Sequence, residues 1–239
     1  MIDTLVLLAG GLATRLKPVT ETIPKSMIEV GGKPFIEHQL SLIKKNSISN
    51  VIICAGKFGE MIKEFTEKRN SFGLNIKYSF DGSKLLGTGG AIKKALEYTG
   101  ENFFVMYGDS YLTEDFSEIG KYYNSSQKAK GLMTVYRNDN KFDKSNIEFS
   151  EGKIIRYDKR ADDDKLNFID YGLGILNRTA FDEFKDQEVF DLEKVYQSLL
   201  SKDQLAGYEV KERFYEIGSF NGLEETNKFL SASSSILNK

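Results

Sequence analysis

Paired glycines at Gly10-Gly11 follow the apolar run Leu5-Val6-Leu7-Leu8, and Arg15 and Lys25 come after them in one aperiodic stretch. Glycine lets backbone N–H groups approach an anion closely, and two nearby cations suit phosphate oxygens. The stretch reads as a polyphosphate cradle at the carboxyl end of a first strand, although paired glycines alone also make ordinary tight turns. Asp109 follows a second apolar run, Asn102–Tyr107, through Gly108. A strand-terminal aspartate often serves only as a turn or cap residue. Facing a phosphate loop, it is placed to hold Mg²⁺, a hard cation that favours carboxylate and phosphate oxygens.

Other chemistries find little support. No Gly-x-x-x-x-Gly-Lys-Ser/Thr occurs, and no Gly-x-Gly-x-x-Gly follows the first strand. With one histidine and one cysteine in 239 residues, a His/Cys metal centre or a Ser-His triad is excluded in practice. His38 falls on the polar side of its helix and reads as a surface residue. Asp162-Asp163-Asp164 contains the Asp-x-Asp of metal-dependent glycosyltransferases, but it lies in a charged loop and reads as a solvated turn. Charged residues make up 28% and nearly cancel to a net charge of −2, which argues against nucleic-acid binding through a basic face. No apolar run approaches the ~20 residues needed to span a bilayer. Cys54 is alone, and the chain opens directly on a strand without an export signal, so the expected location is cytoplasmic.

These residues must be positioned by a regular alternation. Residues 5–8, Asn50–Ala55, Asn75–Phe80 and Asn102–Tyr107 read as strands, the apolar ones buried on both faces. Between them, helices are expected over Phe35–Lys45, with Ile36, Leu40 and Ile43 inward, over 59–68, with Met61, Ile62 and Phe65 inward, and from Gly87 onward. Residues 10–23 read as a long functional loop. Strands alternating with helices at this spacing indicate βα units and a mostly parallel sheet, whose ligands bind at the carboxyl ends of the strands. The first loop, Gly108-Asp109 and the region before Gly87 all fall there. Beyond residue 110 the pattern is mixed. Strands are expected at Gly131–Arg137, 169–176, 208–210 and 213–217, a hairpin at 146–149 with Lys153–Tyr157, and helices at 192–200 and 221–230. The chain reads as one domain over 1–231, with residues 232–239 a frayed tail.

Leu8-Ala9-Gly10-Gly11-Leu12-Ala13-Thr14-Arg15-Leu16 with Pro24-Lys25 resembles the signature of the sugar-1-phosphate nucleotidyltransferases, or nucleotide-sugar pyrophosphorylases. Gly87-Thr88-Gly89-Gly90, Gly108-Asp109, Asp158-Lys159, Tyr171-Gly172 and Tyr215-Glu216-Ile217-Gly218 extend the resemblance, in order, along nearly the whole chain. It implies a Rossmann-like nucleotidyltransferase core with a mostly parallel central mixed sheet flanked by helices. Residues 1–110 would bind nucleotide and 111–231 the sugar phosphate. It also implies one reaction, in which a sugar-1-phosphate oxygen attacks the α-phosphorus of a nucleoside triphosphate to give an NDP-sugar and pyrophosphate.

By the same resemblance, Leu8, Ala9, Gly10, Gly11, Gly87, Thr88 and Gly89 line the nucleotide. Arg15 and Lys25 hold the triphosphate as catalytic cations. Asp109 and Glu216 chelate Mg²⁺, while Asn146, Asp158, Lys159, Tyr171 and Gly172 bind the sugar phosphate. Glu216 stands where the family usually has aspartate, and Ala13 where many relatives have glycine. Overall likeness leans to guanine and a manno- or heptose-type sugar, in the service of cell-surface glycan synthesis. Relatives that are dimers or tetramers make a homo-oligomer an expectation. Two alternatives stay open: a cytidylyltransferase acting on a non-sugar phosphorylated acceptor, and a catalytically silent homologue that binds NDP-sugars.

Overall fold

A computed structural model of the chain describes residues 2–11, 14–16, 19–161 and 163–237. The first half alternates as its apolar runs require. It comprises β1 (Thr4–Leu8), a small hairpin of β2 (Glu29–Val30) and β3 (Lys33–Pro34), α1 (Phe35–Lys45), β4 (Asn50–Ala55), α2 (Gly59–Glu67), β5 (Asn75–Phe80), α3 (Gly87–Ala95) and β6 (Asn102–Tyr107). The second half contains β7 (Ser110–Tyr111), α4 (Phe116–Ser125), β8 (Gly131–Arg137), β9 (Ile147–Ser150), β10 (Lys153–Tyr157) and β11 (Phe168–Asn177). It closes with α5 (Leu192–Ser201), β12 (Leu205–Val210), β13 (Tyr215–Glu216) and α6 (Phe220–Leu237).

Nine strands form one sheet in the order β10-β9-β11-β6-β1-β4-β5, with β8 on the other side of β11 and β12 beyond β8. Its centre, β6-β1-β4-β5, is parallel. There β11 joins β6 antiparallel. The continuous apolar run of β1 is explained by burial on both faces. Leu5 and Leu7 pack with Ile36, Leu40 and Ile43 of α1, while Val6 packs into the opposite layer with Ile92 of α3 and Phe103. Helices cover both faces because β-α-β connections between parallel strands must cross over the sheet.

Parallel pairing carries a functional consequence. The register sets Leu8 beside Cys54 and Tyr107, and Ala55 beside Phe80, so the strands end along one rim. Gly10, Gly56, Asp81 and Asp109, each within two residues of a strand end, therefore emerge together.

Several local expectations are corrected. Met61 is 39% exposed; the buried positions of α2 are Gly59, Ile62 and Thr66, a face that leaves residue 61 pointing away. Helix α6 continues to Leu237, through residues read as beyond the helix. His38 is half-buried, its Nε2 2.7 Å from the Val30 carbonyl, so it braces the β2–β3 hairpin. Helix α4 was not foreseen; it starts on an Asp115 cap that accepts from the Ser117 N–H at 2.8 Å. No helix among the described residues is long and apolar enough to cross a membrane.

Candidate active site

A cavity of about 600 Å³ opens at the rim where the parallel strands end. Leu8, Ala9, Gly10 and Gly11 line it together with Gly87, Thr88, Arg15, Lys25 and Asp109. The sequence signature and the first acidic strand end thus converge on one space. A smaller hollow of about 380 Å³ shares Gly10, Gly11 and Lys25 and extends toward Lys57 and Phe58. Leu12 and Ala13 of the signature lie outside the described residues. Asp162, half of the Asp-x-Asp motif, lies outside them too.

The glycines do different jobs. Gly10 runs against the next strand end, and a Cβ there would come 3.2 Å from the Gly56 nitrogen. Gly11, which lines the cavity, has nothing among the described residues within 4 Å of that position. Gly87 opens α3 at φ +72°, and a Cβ would meet the Phe190 carbonyl at 2.6 Å. Gly89 differs from the expectation: its N–H donates to the Phe190 carbonyl at 2.9 Å and a Cβ would strike the Phe190 ring, so it packs α3 and does not line the cavity.

Charge is arranged in pairs. Lys25 Nζ lies 2.8 Å from Asp109 Oδ2, the lysine only 14% exposed and the aspartate 40%. Arg15 reaches the rim, 3.9 Å from Asp143, with both side chains open to solvent. Beside Lys25, Ser26 is buried, and its hydroxyl has no hydrogen-bond partner among the described residues. The Asp109 turn is anchored by the Gly108 N–H to the Leu8 carbonyl at 3.0 Å and by the Ile217 N–H to the Asp109 carbonyl at 2.9 Å.

Glu216 is brought next to this turn because β13 pairs with β7, Glu216 opposite Ser110. Its carboxylate, however, folds back: it accepts from the Gly218 N–H and from Ser219 Oγ, at the start of α6. There it compensates unpaired N–H groups and the positive end of the helix dipole. The cavity is lined by Gly218 instead. Among the described residues no three His, Cys, Asp or Glu side chains group as a metal cluster. That donor set does not suit a resident, all-protein metal centre. One exposed carboxylate beside a phosphate-sized space does suit Mg²⁺, which binds through one or two carboxylates plus substrate phosphates.

The residues assigned to the sugar phosphate split into two groups. Lys159 Nζ stands 5.7 Å from the ring centres of both Tyr107 and Tyr157, and Tyr107 lines the cavity. Asp158 accepts from the Arg160 and Ala161 N–H groups at 2.9 and 3.0 Å and from Arg156 at 2.9 Å. The Arg160 N–H, followed by Arg156, holds its carboxyl below the usual carboxylate range. Asp158 therefore shapes the turn that presents Lys159. Asn146 is spent on splicing, its Oδ1 accepting from the Asp170 N–H at 3.1 Å. Tyr171 is placed in the core: it is 1% exposed, its ring lies among Tyr136 and Phe214, and burial pushes its phenol up to about 12. Gly172, at φ +91°, lets β11 pass close under Ser110, where a Cβ would come 2.9 Å from the hydroxyl.

Three acidic residues escaped the sequence reading. Asp81, Asp191 and Asp170 are respectively in the cavity wall, in the cavity wall, and bonded to the cavity residue Tyr107, whose hydroxyl donates to Asp170 Oδ2 at 2.7 Å. Burial raises the Asp81 carboxyl, partly offset by the Leu86 N–H and Lys94, and pushes the Tyr107 phenol well above its ordinary range. Asp81 follows β5 as Asp109 follows β6, a signal that was available; Asp191 carries no local signal at all.

Known proteins are similar to this chain in sequence and fold. Residues 4–233 match the nucleotidyl transferase family. The D-glycero-alpha-D-manno-heptose 1-phosphate guanylyltransferase of Campylobacter jejuni subsp. jejuni serotype O:2 is 31% identical over 214 residues, covering 89% of this chain and 93% of the relative. The mannose-1-phosphate guanylyltransferase catalytic subunit beta of Xenopus tropicalis is 26% identical across 89% of this chain, which spans only 60% of that longer protein. Among solved structures, HddC from Yersinia pseudotuberculosis complexed with GMP-PN superposes with a TM-score of 0.80 at 24% identity, covering 95% of this chain and 99% of HddC, which supports the fold. A family match that runs almost end to end, with the signature loop and Asp109 lining one cavity, means that this chain belongs to the nucleotidyl transferase family.

Proposed function

We propose that the protein transfers a guanylyl group from GTP to a manno- or heptose-type sugar 1-phosphate, giving a GDP-sugar and pyrophosphate, for cell-surface glycan synthesis in the cytoplasm. The observation that carries this reading is the Lys25–Asp109 pair lining one cavity with the Gly10-Gly11 loop. The reaction makes a bond between a sugar-phosphate oxygen and the α-phosphorus and breaks the bond to the β-phosphate, which leaves as pyrophosphate. The attacking phosphate is already ionised at neutral pH, so no general base is needed. Alignment of two anions and neutralisation of their charge supply the catalysis.

Each residue then has a physical task. Lys25 and Arg15 neutralise the triphosphate and the departing charge, and Lys159, over the Tyr107 and Tyr157 rings, draws in the sugar phosphate. Asp109, joined by Glu216 if it leaves its helix-capping position, would hold Mg²⁺. The cation would offset charge on the phosphates and orient them. Support for guanine comes from Asp81 as well as from the names of the relatives: a carboxylate accepts hydrogen bonds, and guanine alone offers adjacent N1–H and N2–H donors.

A pyrophosphate-release screen of GTP, CTP, UTP, dTTP and ATP against several sugar 1-phosphates tests the reading. GTP with a manno-configured acceptor should give the fastest release, and Asp109→Asn or Arg15→Ala should abolish most of it without unfolding the protein. Turnover with CTP and a non-sugar phosphate would move the enzyme to the cytidylyltransferase alternative. Nucleotide-sugar binding without any pyrophosphate formation would make it a silent homologue.

A further inference from the structure

Gln39 occupies a position where an apolar side chain would be expected. It lies on the inward face of α1 with Ile36, Leu40 and Ile43, and it is 0% exposed. Its amide nitrogen donates twice, to the Tyr107 carbonyl at 3.0 Å and to the Ser110 carbonyl at 2.9 Å. Those two carbonyls bracket Gly108-Asp109. The amide's orientation follows from chemistry, since the reverse flip would set an oxygen against two carbonyl oxygens. That orientation leaves Gln39 Oε1 with no hydrogen-bond partner among the described residues. A buried polar group that gives up one of its own hydrogen bonds is a poor device for stability alone.

We infer that Gln39 is a positioning residue, which fixes the peptide carrying Asp109 so that its carboxylate meets Lys25 and the substrate phosphates at the required place. A single planar nitrogen with two hydrogens sets the separation of the two carbonyls, and with it the direction in which the Asp109 side chain leaves the backbone. Among the described residues the other backbone anchors are at the Gly108 N–H, at the Asp109 carbonyl and in the pairing of Ser110 with Glu216. Gln39 is the side chain that spans the turn from outside, linking α1 to the catalytic rim. This inference rests on the proposed role of Asp109.

The test is a double-mutant cycle with Gln39→Met, which keeps the volume and removes both donors, and Asp109→Asn. In the Asp109 background, Gln39→Met should lower kcat by about tenfold or more while the KM for nucleotide changes less than about threefold, the mark of lost alignment rather than lost binding. In the Asp109→Asn background, measured by residual pyrophosphate release over hours, the same substitution should cost less than about twofold, because coupled residues do not add. Equal losses in both backgrounds, or none in either, would overturn the inference. Unchanged turnover of Asp109→Asn alone would instead overturn the proposed function. If Gln39→Met does not fold, Gln39→Glu enters the same cycle with the same two outcomes, and its loss should deepen as rising pH ionises the carboxyl against the two carbonyls.

Discussion

In its proposed role as acceptor for the base, Asp81 would serve binding at the expense of stability. Burial raises its carboxyl above the ordinary 3.8. For a raised carboxyl the contribution to stability is full below the unfolded value and is lost as pH rises through the folded value, so at neutral pH the ionised group is a liability. Asp81→Asn should therefore raise Tm by about 1–3 °C in a thermal melt at pH 7. The same change should weaken GTP binding, measured by calorimetry, by about tenfold or more, since a hydrogen bond to a charged acceptor is worth ~1.5–3 kcal/mol. In the native protein GTP affinity should fall as pH drops through the raised value, at a pH where an ordinary carboxylate is still ionised. Lys25→Ala removes the cation that faces Asp109 at 2.8 Å and should lower kcat/KM by about 10²–10³. At this scale Asp109 was readable because an apolar strand points at it. Asp81 carries the same signal, directly after β5. Tyr171, Asp158 and Asn146 illustrate the converse: a motif can name a residue without saying whether its side chain faces substrate, core or its own turn.

Elements were legible in proportion to their apolar contrast. The strands β1, β4, β5 and β6 stood out because continuous or alternating apolar residues leave little choice, and α1 and α3 because one stripe repeats at helical spacing. Helix α4 was missed because Phe116, Ile119 and Tyr123 are its only buried positions among serines, lysine, glutamate and exposed tyrosine. The two-residue strand β7 carries no sequence signal, and β13 is shorter than the strand expected at 213–217, since the pairing of the two depends on distant segments meeting. Glycines separate fold from function at this level. Gly87→Ala forces a positive φ on a residue with a Cβ and drives that atom toward the Phe190 carbonyl, so denaturant unfolding should show a loss of ~2 kcal/mol or more, with a raised KM for nucleotide. Gly11→Ala meets nothing among the described residues and should change stability by less than about 0.5 kcal/mol, yet still weaken nucleotide binding by intruding on the cavity.

The whole molecule is tied together by β11, which pairs with β6 of the first half along one edge and with β8 of the second half along the other. The division at residue 110 is thus one of proposed roles, within a sheet that runs on without a break. Chemical unfolding should show a single transition by fluorescence and circular dichroism. Ile175→Ala, at a fully buried position on β11, should lower stability by ~2–5 kcal/mol and weaken both halves together. An isolated fragment of residues 1–110 should be insoluble or aggregate, because β6 would be left as an unpaired apolar edge.

That same strand order has a meaning for the chain as it is made. When the ribosome has released β6, the partner for its open edge is still to come: about 60 residues separate Tyr107 from Phe168. At ~5–20 residues per second, the segment Asn-Phe-Phe-Val-Met-Tyr stands uncovered for roughly 3–12 s in every round of synthesis. An apolar hexamer without charge or proline is the kind of sequence that chaperones shield and that nucleates cross-β aggregates. The yield of active enzyme in a cell will then be set by the pace of translation between β6 and β11 as much as by the stability of the finished fold.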